Sequence, residues 1–279
     1  MDARCHLTLE ALKALESVRK VFYFSEVVGL SSIIDRFRIP AEDLARFAHY
    51  GHRRAETYRS IVEHVVGHLE ELETVAWVTV GNPYVIDGTT VAFRRAADEF
   101  DFDIVVVPAI SSIDSLIADL GINITQNGLQ VFDANGLFVR PLKVDPRIPC
   151  LIMQFARAGT RLQTLGCRPM PRNFDFLVQS LARTHGVNHA CTVITAKSGA
   201  YDSERFSVRI GSLPSVGPEV SPWATLYVPP AKSIADDKDR DREMEDIEAL
   251  AARFETPMGR ILSRASRHSE KKLGMELGS

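Results

Sequence analysis

The strongest constraint on the fold is an alternation, over the first 122 residues, of short apolar runs with segments of helical periodicity. The apolar runs at 21–28, 75–81 and 103–111 are almost uninterrupted, which is typical of parallel strands covered on both faces. Between them, apolar residues recur at intervals of three and four, as in helices packed on a sheet. The pattern therefore predicts an α/β lobe with a parallel sheet over residues 1–122. The predicted helices cover residues 9–19, 31–37, 53–72, 88–99 and 111–122.

The second half of the chain has a different pattern. Five strand-like segments are interrupted by one clear helix, at 173–186, which predicts a second α/β lobe with a mixed sheet over residues 123–232. From residue 233 to 279 the composition becomes highly charged and permissive for helix, and we expect a solvated helical tail or a partner-binding arm. The strand-like segments are 129–134, 149–155, 190–196, 206–213 and 224–230.

Composition and charge exclude several classes of protein. The 279 residues are 45% hydrophobic and 25% charged, with a formal net charge of −3, and these values are ordinary for a globular protein. The near balance of charge argues against a dedicated nucleic-acid-binding protein, which has a strongly basic face. No stretch approaches the ~20 consecutive apolar residues of a membrane span. Four scattered cysteines without a CxxC pair indicate free thiols in a reducing compartment, so we expect a cytoplasmic protein. Together with the charge balance and the absence of a long apolar stretch, this leads us to expect no nucleic-acid or membrane partner.

Two turns of the predicted parallel sheet are candidates for a ligand site. Ligands of such sheets gather outside the carboxyl ends of the strands. GNPY at 81–84 follows the strand at 75–80, and PAISS at 108–112 follows the strand at 103–107. Both segments bring small residues and a helix N-terminus to a place where the backbone approaches a ligand closely. Ordinary tight turns between a strand and a helix account for the same residues, and spacing alone leaves both interpretations open.

Histidines give a weaker signal. His64 and His68 lie four residues apart on a predicted helix, a spacing that can bind metal, but no third ligand accompanies them. We therefore expect exposed histidines of an amphipathic helix and no metal. His49 and His52 lie beside a glycine turn and indicate either a basic loop or a contact to an anionic substrate. No P-loop, GxSxG or Cys/His nucleophile signature is present in the sequence.

Five short segments occur in an order that resembles the tetrapyrrole methylase superfamily. The turns at 81–85 and 108–112 are similar to the S-adenosylmethionine-binding turns of that family, G-[DH]-P-x-[VF] and PG-[IV]-S-[SA]. Within the superfamily the sequence most resembles the borosin-type peptide backbone N-methyltransferases, and the resemblance runs from about residue 8 to residue 232. RRAETY at 53–58 is similar to their Arg-x-x-x-Tyr helix start, LIMQFARAG at 151–159 to their strand with a cofactor-contacting glutamine, and ATLYVPPAK at 224–232 to the strand that closes their catalytic domain.

The resemblance implies a methyltransferase that uses S-adenosyl-L-methionine and has the two-lobed fold of that superfamily. By this resemblance Arg54 stabilises the developing imidate oxygen of a backbone amide, and Tyr58, one helical turn further on, relays or accepts the proton. The alternative is an arginine and a tyrosine on a solvated helix face. The residues implied to hold the cofactor are Gly81, Asn82, Pro83, Val85, Ile110, Ser111, Ser112, Gln154 and Thr225.

The sequence departs from the family pattern in several places. Asn82 stands where a histidine or aspartate is usual, and Ala109 where a glycine is usual. The family begins with a strand and a glycine-rich turn ahead of the helix that corresponds to 9–19, so we expect either that the start lies upstream or that the sheet lacks that strand. Fused borosin enzymes carry a hydrophobic core peptide at the C-terminus, whereas this sequence ends in SRHSEKKLGMELGS. A peptide substrate is therefore expected to be a separate polypeptide.

Three functions stay open on the sequence alone. A split borosin-like enzyme would methylate a separate peptide, and a tetrapyrrole or other small-molecule methylase would use the same scaffold. The absent strand, Asn82 and Ala109 favour a third function, that of a degenerate homologue that acts only as a binding or dimer partner. A homodimer is expected from the resemblance.

Overall fold

The computed structural model describes residues 6–24, 29–140, 142–164, 170–197, 203–233 and 238–253. The strands are β1 Lys20–Tyr23, β2 Ala41–Asp43, β3 Val75–Val78, β4 Gln130–Asp133, β5 Cys150–Met153, β6 Ala190–Thr195, β7 Glu204–Arg209 and β8 Thr225–Val228. The helices are α1 Leu9–Glu16, α2 Leu30–Phe37, α3 Arg54–Val66, α4 Leu69–Leu72, α5 Gly88–Phe100, α6 Ser112–Leu120, α7 Ile124–Asn127, α8 Ala134–Val139, α9 Asp175–His185 and α10 Lys238–Arg253. Short 3-10 helices lie at Ala45–Phe47, Phe155–Arg157, Pro171–Phe174 and Ile210–Glu219.

The first sheet is parallel and has the strand order β2-β1-β3. The central strand β1 points successive side chains into two apolar clusters, as a strand covered on both faces must. Phe22 packs with Ile61 and Val65 of α3, whereas Val21 packs on the other face with Leu30 of α2. Phe22 and Val21 are completely buried. The parallel α/β lobe predicted from the apolar runs is confirmed.

The second sheet is mixed, with the strand order β4-β5-β8-β6-β7. β4 and β5 are parallel, and the other neighbours are antiparallel. Strand β5 is buried along its whole length because helices cover both of its faces. Ile152 packs with Leu177 of α9, and Leu151 packs with Leu116 of α6. Helix α6 thereby holds the loop before it close to the carboxyl end of β5.

The strand predicted at 103–111 is wrong. Residues 103–110 adopt no regular secondary structure and have no backbone hydrogen-bond partner among the described residues. The side chain of Ile104 packs against the cluster around Phe22, whereas that of Val105 is 87% exposed. The apolar run has the composition of a strand, but strand formation also needs a neighbour with which to exchange hydrogen bonds, and β3 is paired only with β1 in the described sheet.

Several other elements differ in their bounds from the prediction, since α1 ends at Glu16 and β3 at Val78. The helix predicted over 53–72 is two helices, because α3 ends at Val66 and α4 begins at Leu69, with Gly67, a poor helix former, at the break. Strand β7 ends at Arg209, where a 3-10 helix begins. Strand β1 ends at Tyr23, and residues 25–28 of the predicted strand lie outside the described residues.

The two described cysteines are free and buried. Burial raises the pKa of the Cys150 and Cys191 thiols to about 12, so both are protonated at neutral pH and pack as small apolar groups. Cys5 and Cys167 lie outside the described residues.

The chain divides into two compact units, Met1–Lys232 and Ser233–Ser279. Both sheets lie in the first unit, and the lobe boundary after residue 122 stays a prediction. In the second unit the described part of the charged segment is the helix α10. None of the helices in the described part of the chain has the length and apolar character that crossing a bilayer requires.

Candidate functional site

Arg54 is fixed at the beginning of α3 by contacts to a distant loop. Its guanidinium donates from Nη2 to the carbonyl oxygen of Thr160 at 3.0 Å and from Nη1 to that of Leu162 at 3.3 Å. Backbone hydrogen bonds join the same two segments, from Gly51 to Gln163 and from Arg54 to Arg161. The Arg54 side chain is therefore held in one place rather than free on a solvated helix face.

The charge of Arg54 lies in a partly desolvated environment. Burial lowers the pKa of the guanidinium, the interaction with Tyr58 opposes that shift, Arg157 adds to it, and Asp133 opposes it. Arginine stays protonated at any physiological pH. The site thus presents a permanent positive charge within electrostatic range of Tyr58.

Tyr58 lies one helical turn beyond Arg54 and packs over the beginning of α5. A Cβ added at Gly88, the first residue of α5, would lie 2.9 Å from Cδ2 and 3.1 Å from Cζ of the Tyr58 ring. A side chain of any kind at position 88 would therefore displace the ring. Gly88 was not singled out in the sequence, because a glycine at a helix start is an ordinary helix boundary unless its neighbours in space are known.

Two residues with strained backbones meet at the end of β5. Gln154 follows β5 with a φ of +52°, and Ile86 has a φ of +59°. The Gln154 side-chain amide donates to the carbonyl oxygen of Ile86 at 3.5 Å. A β-branched residue at positive φ is an outlier, and such strain clusters at ligand sites. The resemblance indicated Gln154, but no residue-type signal indicated Ile86.

The two turns predicted to bind a ligand contact each other. Gly81 has a φ of +79°, and a Cβ added there would lie 3.5 Å from the carbonyl oxygen of Ile110 and 3.7 Å from Cα of Ser111. The turn around Asn82 is closed from within, because its side-chain oxygen accepts from the Tyr84 N–H and its carbonyl oxygen accepts from the Val85 N–H, both at 2.9 Å. The bonds of Asn82 thus fix the turn that places Gly81.

Ser111 is the N-cap of α6 and forms a capping box with Asp114. The Ser111 hydroxyl and backbone N–H both donate to Oδ2 of Asp114, at 2.7 Å and 2.6 Å, and these bonds lower the pKa of the Asp114 carboxyl group. Ser112 begins the helix, and Ile110, 40% exposed, offers an apolar surface beside Gly81. The polar atoms of Ser111 therefore serve the loop itself, and the part of the loop turned outward is Ile110.

Thr225 lies in the interior of the protein, beside the residue that precedes Gln154. It begins β8, is buried, and its hydroxyl lies 3.7 Å from Sδ of Met153, the residue before Gln154. The structure thus places Thr225 behind the strained turn rather than at an open surface.

Residues 81–88 contact three of the predicted site residues, Ile110, Gln154 and Tyr58. This segment begins with Gly81 against Ile110, passes Ile86 against Gln154, and ends with Gly88 against Tyr58. The geometry supplies a fixed cation and a phenol on one side and a glycine turn with an apolar wall on the other. Such an arrangement suits the orientation of a ligand and the stabilisation of a developing negative charge on a second molecule.

Sequence and structure comparisons find the same class of protein. The family of tetrapyrrole (corrin/porphyrin) methylases matches residues 1–213. A methyltransferase/ribosomally synthesized type I borosin cyclic peptide precursor of Mycena rosella is 25% identical over 226 residues, which are 81% of this chain and 57% of the fungal protein. This chain thus spans little more than half the length of that curated relative.

Solved structures resemble the fold. A uroporphyrin-III-C-methyltransferase of Thermus thermophilus is similar with a TM-score of 0.58 at 18% identity, over 83% of this chain and 90% of that chain. A structure of the uroporphyrin-III C-methyltransferase of the same organism, complexed with S-adenosyl homocysteine, is similar with a TM-score of 0.55 at 15% identity, over 85% of this chain and 94% of that chain.

Proposed function

Since the chain belongs to the tetrapyrrole methylase family, we propose that it is a methyltransferase that uses S-adenosyl-L-methionine. The observation that carries the proposal is the close approach of Gly81 to Ile110, which joins the two turns that resemble the cofactor-binding turns of the family. A protein of similar fold was crystallised with S-adenosyl homocysteine, the demethylated form of that cofactor.

The residues of the two turns fit such a ligand. Gly81 has no side chain, and Ile110 beside it is partly exposed and apolar, as the adenosine part of a cofactor requires. The Gln154 amide makes a long 3.5 Å contact and has donor and acceptor capacity left for a ligand. Gly81, Ile110 and Gln154 would hold the cofactor, and Asn82 would keep the turn in place. When bound, S-adenosylmethionine supplies an electrophilic methyl group.

The proposed methyl acceptor is a backbone amide nitrogen of a separate peptide. An amide nitrogen is a poor nucleophile until it loses its proton and negative charge gathers on its oxygen. The Arg54 guanidinium has five N–H donors. Two of them donate within the protein, to the carbonyl oxygens of Thr160 and Leu162. The donors that are left would stabilise the imidate oxygen.

Tyr58 is the proposed proton acceptor. The positive charge of Arg54 favours a phenolate at Tyr58, since the two groups interact electrostatically. The phenolate would take the amide proton and become a phenol. Gly88 keeps the ring in this position because nothing bulkier fits beneath it.

Two measurements test the proposal separately. Isothermal titration with S-adenosylmethionine is expected to show binding of one equivalent, and its absence would rule out methyl transfer and favour the non-catalytic homologue. Mass spectrometry of the protein, isotopically labelled cofactor and a candidate peptide encoded beside it is expected to show transfer of the label to the peptide. Cofactor binding without peptide methylation would remove the peptide substrate but leave a methyltransferase.

A tetrapyrrole or other small-molecule methylase is the second candidate. The observation that favours it is coverage, because the chain spans 90% of a uroporphyrin-III-C-methyltransferase but only 57% of the borosin precursor. Incubation with labelled cofactor and uroporphyrinogen III, followed by mass spectrometry, distinguishes it from the peptide enzyme.

We also propose a homodimer in the cytoplasm. The buried reduced thiols Cys150 and Cys191 suit a reducing compartment. Light scattering coupled to size exclusion would give twice the chain mass of 31.0 kDa for a dimer.

A further inference from the structure

Two histidines with metal-binding spacing acquire a third ligand in the folded chain. His64 lies in α3, and His68 lies just beyond the end of α3. Glu42 comes from β2, twenty-two residues before His64 in the sequence. The structure brings one ligand atom of each to within 4.8 Å of the others. Sequence spacing does not join Glu42 to the pair, because strand β2 meets α3 only in the tertiary structure.

The packing of both rings on Phe22 of β1 holds the cluster together. The imidazoles of His64 and His68 approach the Phe22 ring edge-on, with centroid distances of 5.7 Å and 5.0 Å. The centroids of the two imidazoles are 4.8 Å apart. Because Phe22 is completely buried, the rings rest on a rigid surface.

The hydrogen bonds leave His68 ready to accept a cation. Its Nδ1 lies 2.9 Å from the backbone carbonyl oxygen of His64. A carbonyl oxygen only accepts, so Nδ1 carries the proton and Nε2 of the neutral ring presents its lone pair to Nζ of Lys20. This type of second contact orients histidines that bind metal. His64 Nε2 lies 2.8 Å from Oε1 of Glu42, and a shift to the other neutral tautomer frees it without net loss of a proton.

Glu42 accepts hydrogen bonds from three neighbouring side chains of the cluster. Burial raises the pKa of its carboxyl group, but hydrogen bonds from Lys20, Arg46 and His64 outweigh burial and bring the pKa to about 2. The Glu42 carboxylate is therefore the anionic group around which the donors of the cluster gather.

A cation of the protein itself already lies between the ligands. Nζ of Lys20 is 2.6 Å from Oε2 of Glu42 and 3.4 Å from Nε2 of His68. Arg46 contacts Oε1 of Glu42 and lies 3.2 Å from Nε2 of His64. The cluster is thus built around positive charge, and both cations are on long side chains that reach solvent, with 21% and 50% of the Lys20 and Arg46 side chains exposed.

We propose that Glu42, His64 and His68 bind a zinc ion, with Lys20 and Arg46 as competing cations that leave the ligand atoms when the metal enters. Two imidazoles and one carboxylate are a common zinc ligand set, and a water completes the tetrahedron. His64 is ten residues from Arg54 on α3, about 15 Å at 1.5 Å per residue. The ion would therefore tie the C-terminal end of α3 to β2 and take no part in methyl transfer.

The test is calorimetric titration of the metal-free full chain with Zn²⁺ alone, with metal content measured by mass spectrometry. Wild-type protein is expected to bind one equivalent, and Lys20→Met is expected to bind it about five- to tenfold more tightly because the competing ammonium is gone. The double variant Lys20→Met/His64→Gln is expected to lose the site.

The matched control is His49→Gln/His52→Gln, which removes another close pair of imidazoles, with centroids 5.3 Å apart. It is expected to bind zinc as the wild type does. The proposal is overturned if Lys20→Met takes up no zinc, if adding His64→Gln leaves its binding unchanged, or if the control variant loses the ion. If Lys20→Met lacks the wild-type circular dichroism spectrum, Arg46→Gln takes its place in both variants. The same three results would then overturn the proposal.

Discussion

At the scale of single residues, the candidate site depends on close contacts and strained backbones rather than on unusual residue types. Gln154 and Ile86 both adopt positive φ and touch each other, and Gly88 is where the Tyr58 ring fits. Arg54 has two tasks, since it anchors the carbonyl groups of residues 160 and 162 and is the proposed oxyanion donor. Each of these features makes a distinct prediction.

Arg54→Ala is expected to lower kcat for methyl transfer by about 10²–10³-fold, because it removes the proposed donor to the imidate oxygen. Affinity for S-adenosylmethionine is expected to stay near the wild-type value, since the guanidinium of Arg54 donates to Thr160 and Leu162 rather than to the proposed cofactor-binding turns. Label transfer and isothermal titration measure the two quantities. Arg59→Ala, an exposed arginine on the same helix, is the control and should leave both unchanged. Weaker cofactor binding in Arg54→Ala would contradict the role.

Gly88→Ala is expected to lower the free energy of unfolding by about 1–3 kcal/mol, because the new Cβ overlaps the Tyr58 ring. Urea denaturation measures the change. Adding Tyr58→Ala should recover part of the loss, since the overlap needs both side chains. The control is Gly136→Ala in α8, where a Cβ would have its nearest neighbours at 3.6 Å and should be tolerated. Equal losses in the two glycine variants would contradict the proposed overlap.

At the scale of elements, the first sheet and α3 are joined by an ionic cluster as well as by apolar packing. Glu42 of β2 receives hydrogen bonds from Lys20 of β1 and from His64 of α3. Helix α3 carries the proposed catalytic residues at its beginning and this cluster near its end. Its position on the sheet is therefore sensitive to the charge of one carboxylate.

The contribution of the Glu42 carboxylate to the free energy of unfolding is expected to fall in acid. The pKa of Glu42 is about 2 in the folded protein against an ordinary 4.5. A depressed pKa stabilises the folded state above the unfolded pKa, and the contribution is lost as the pH falls from about 4.5 to about 2. Urea denaturation across this range should show a decline in the free energy of unfolding that Glu42→Gln reduces.

Asp145→Asn provides the comparison for Glu42. Hydrogen bonds from Arg147 also lower the pKa of Asp145 to about 2, but that ion pair lies at the surface, with 59% of the Arg147 side chain and 29% of the Asp145 side chain exposed, and surface pairs contribute little to stability. The acid decline of Asp145→Asn should therefore match the wild type. An equal effect of both substitutions would contradict the role of Glu42.

At the scale of the whole molecule, the candidate site belongs entirely to the unit Met1–Lys232. The described part of the second unit is a charged helix, Lys238–Arg253. The two sheets, with the helices that cover them, account for the buried apolar clusters of the described residues.

A chain ending at Lys232 is expected to keep the thermal unfolding midpoint and the cofactor affinity of the full protein. The reason is that both sheets and every proposed site residue lie within it. Differential scanning calorimetry and isothermal titration provide the comparison. If the peptide substrate binds the charged helix, the chain ending at Lys232 should methylate the peptide with a higher KM than the full protein and with an unchanged kcat. A large drop in the midpoint would contradict the independence of the first unit.

The parts of the fold that were predicted correctly are those determined by local sequence. β5 is apolar throughout, and β1 at its two buried central residues, because both faces of each strand are covered, and the capped start of α6 is visible in the order Ser111 to Asp114. The run at 103–111 was assigned wrongly because pairing depends on which strand lies beside it, and this information is not local. The contacts of Gly88 and Ile86, and the meeting of Glu42 with two histidines, were missed for the same reason.

Strand β3 lies at the edge of the described sheet, and this position affects the behaviour of the protein in concentrated solution. In the described sheet β3 bonds only to β1, so its other edge is a row of backbone donors and acceptors with the uncharged sequence VAWV. Edges of this kind pair with those of other molecules, and natural proteins interrupt them with charge or proline. Self-association that grows with concentration is therefore expected to begin at β3, and light scattering over a range of protein concentrations measures it.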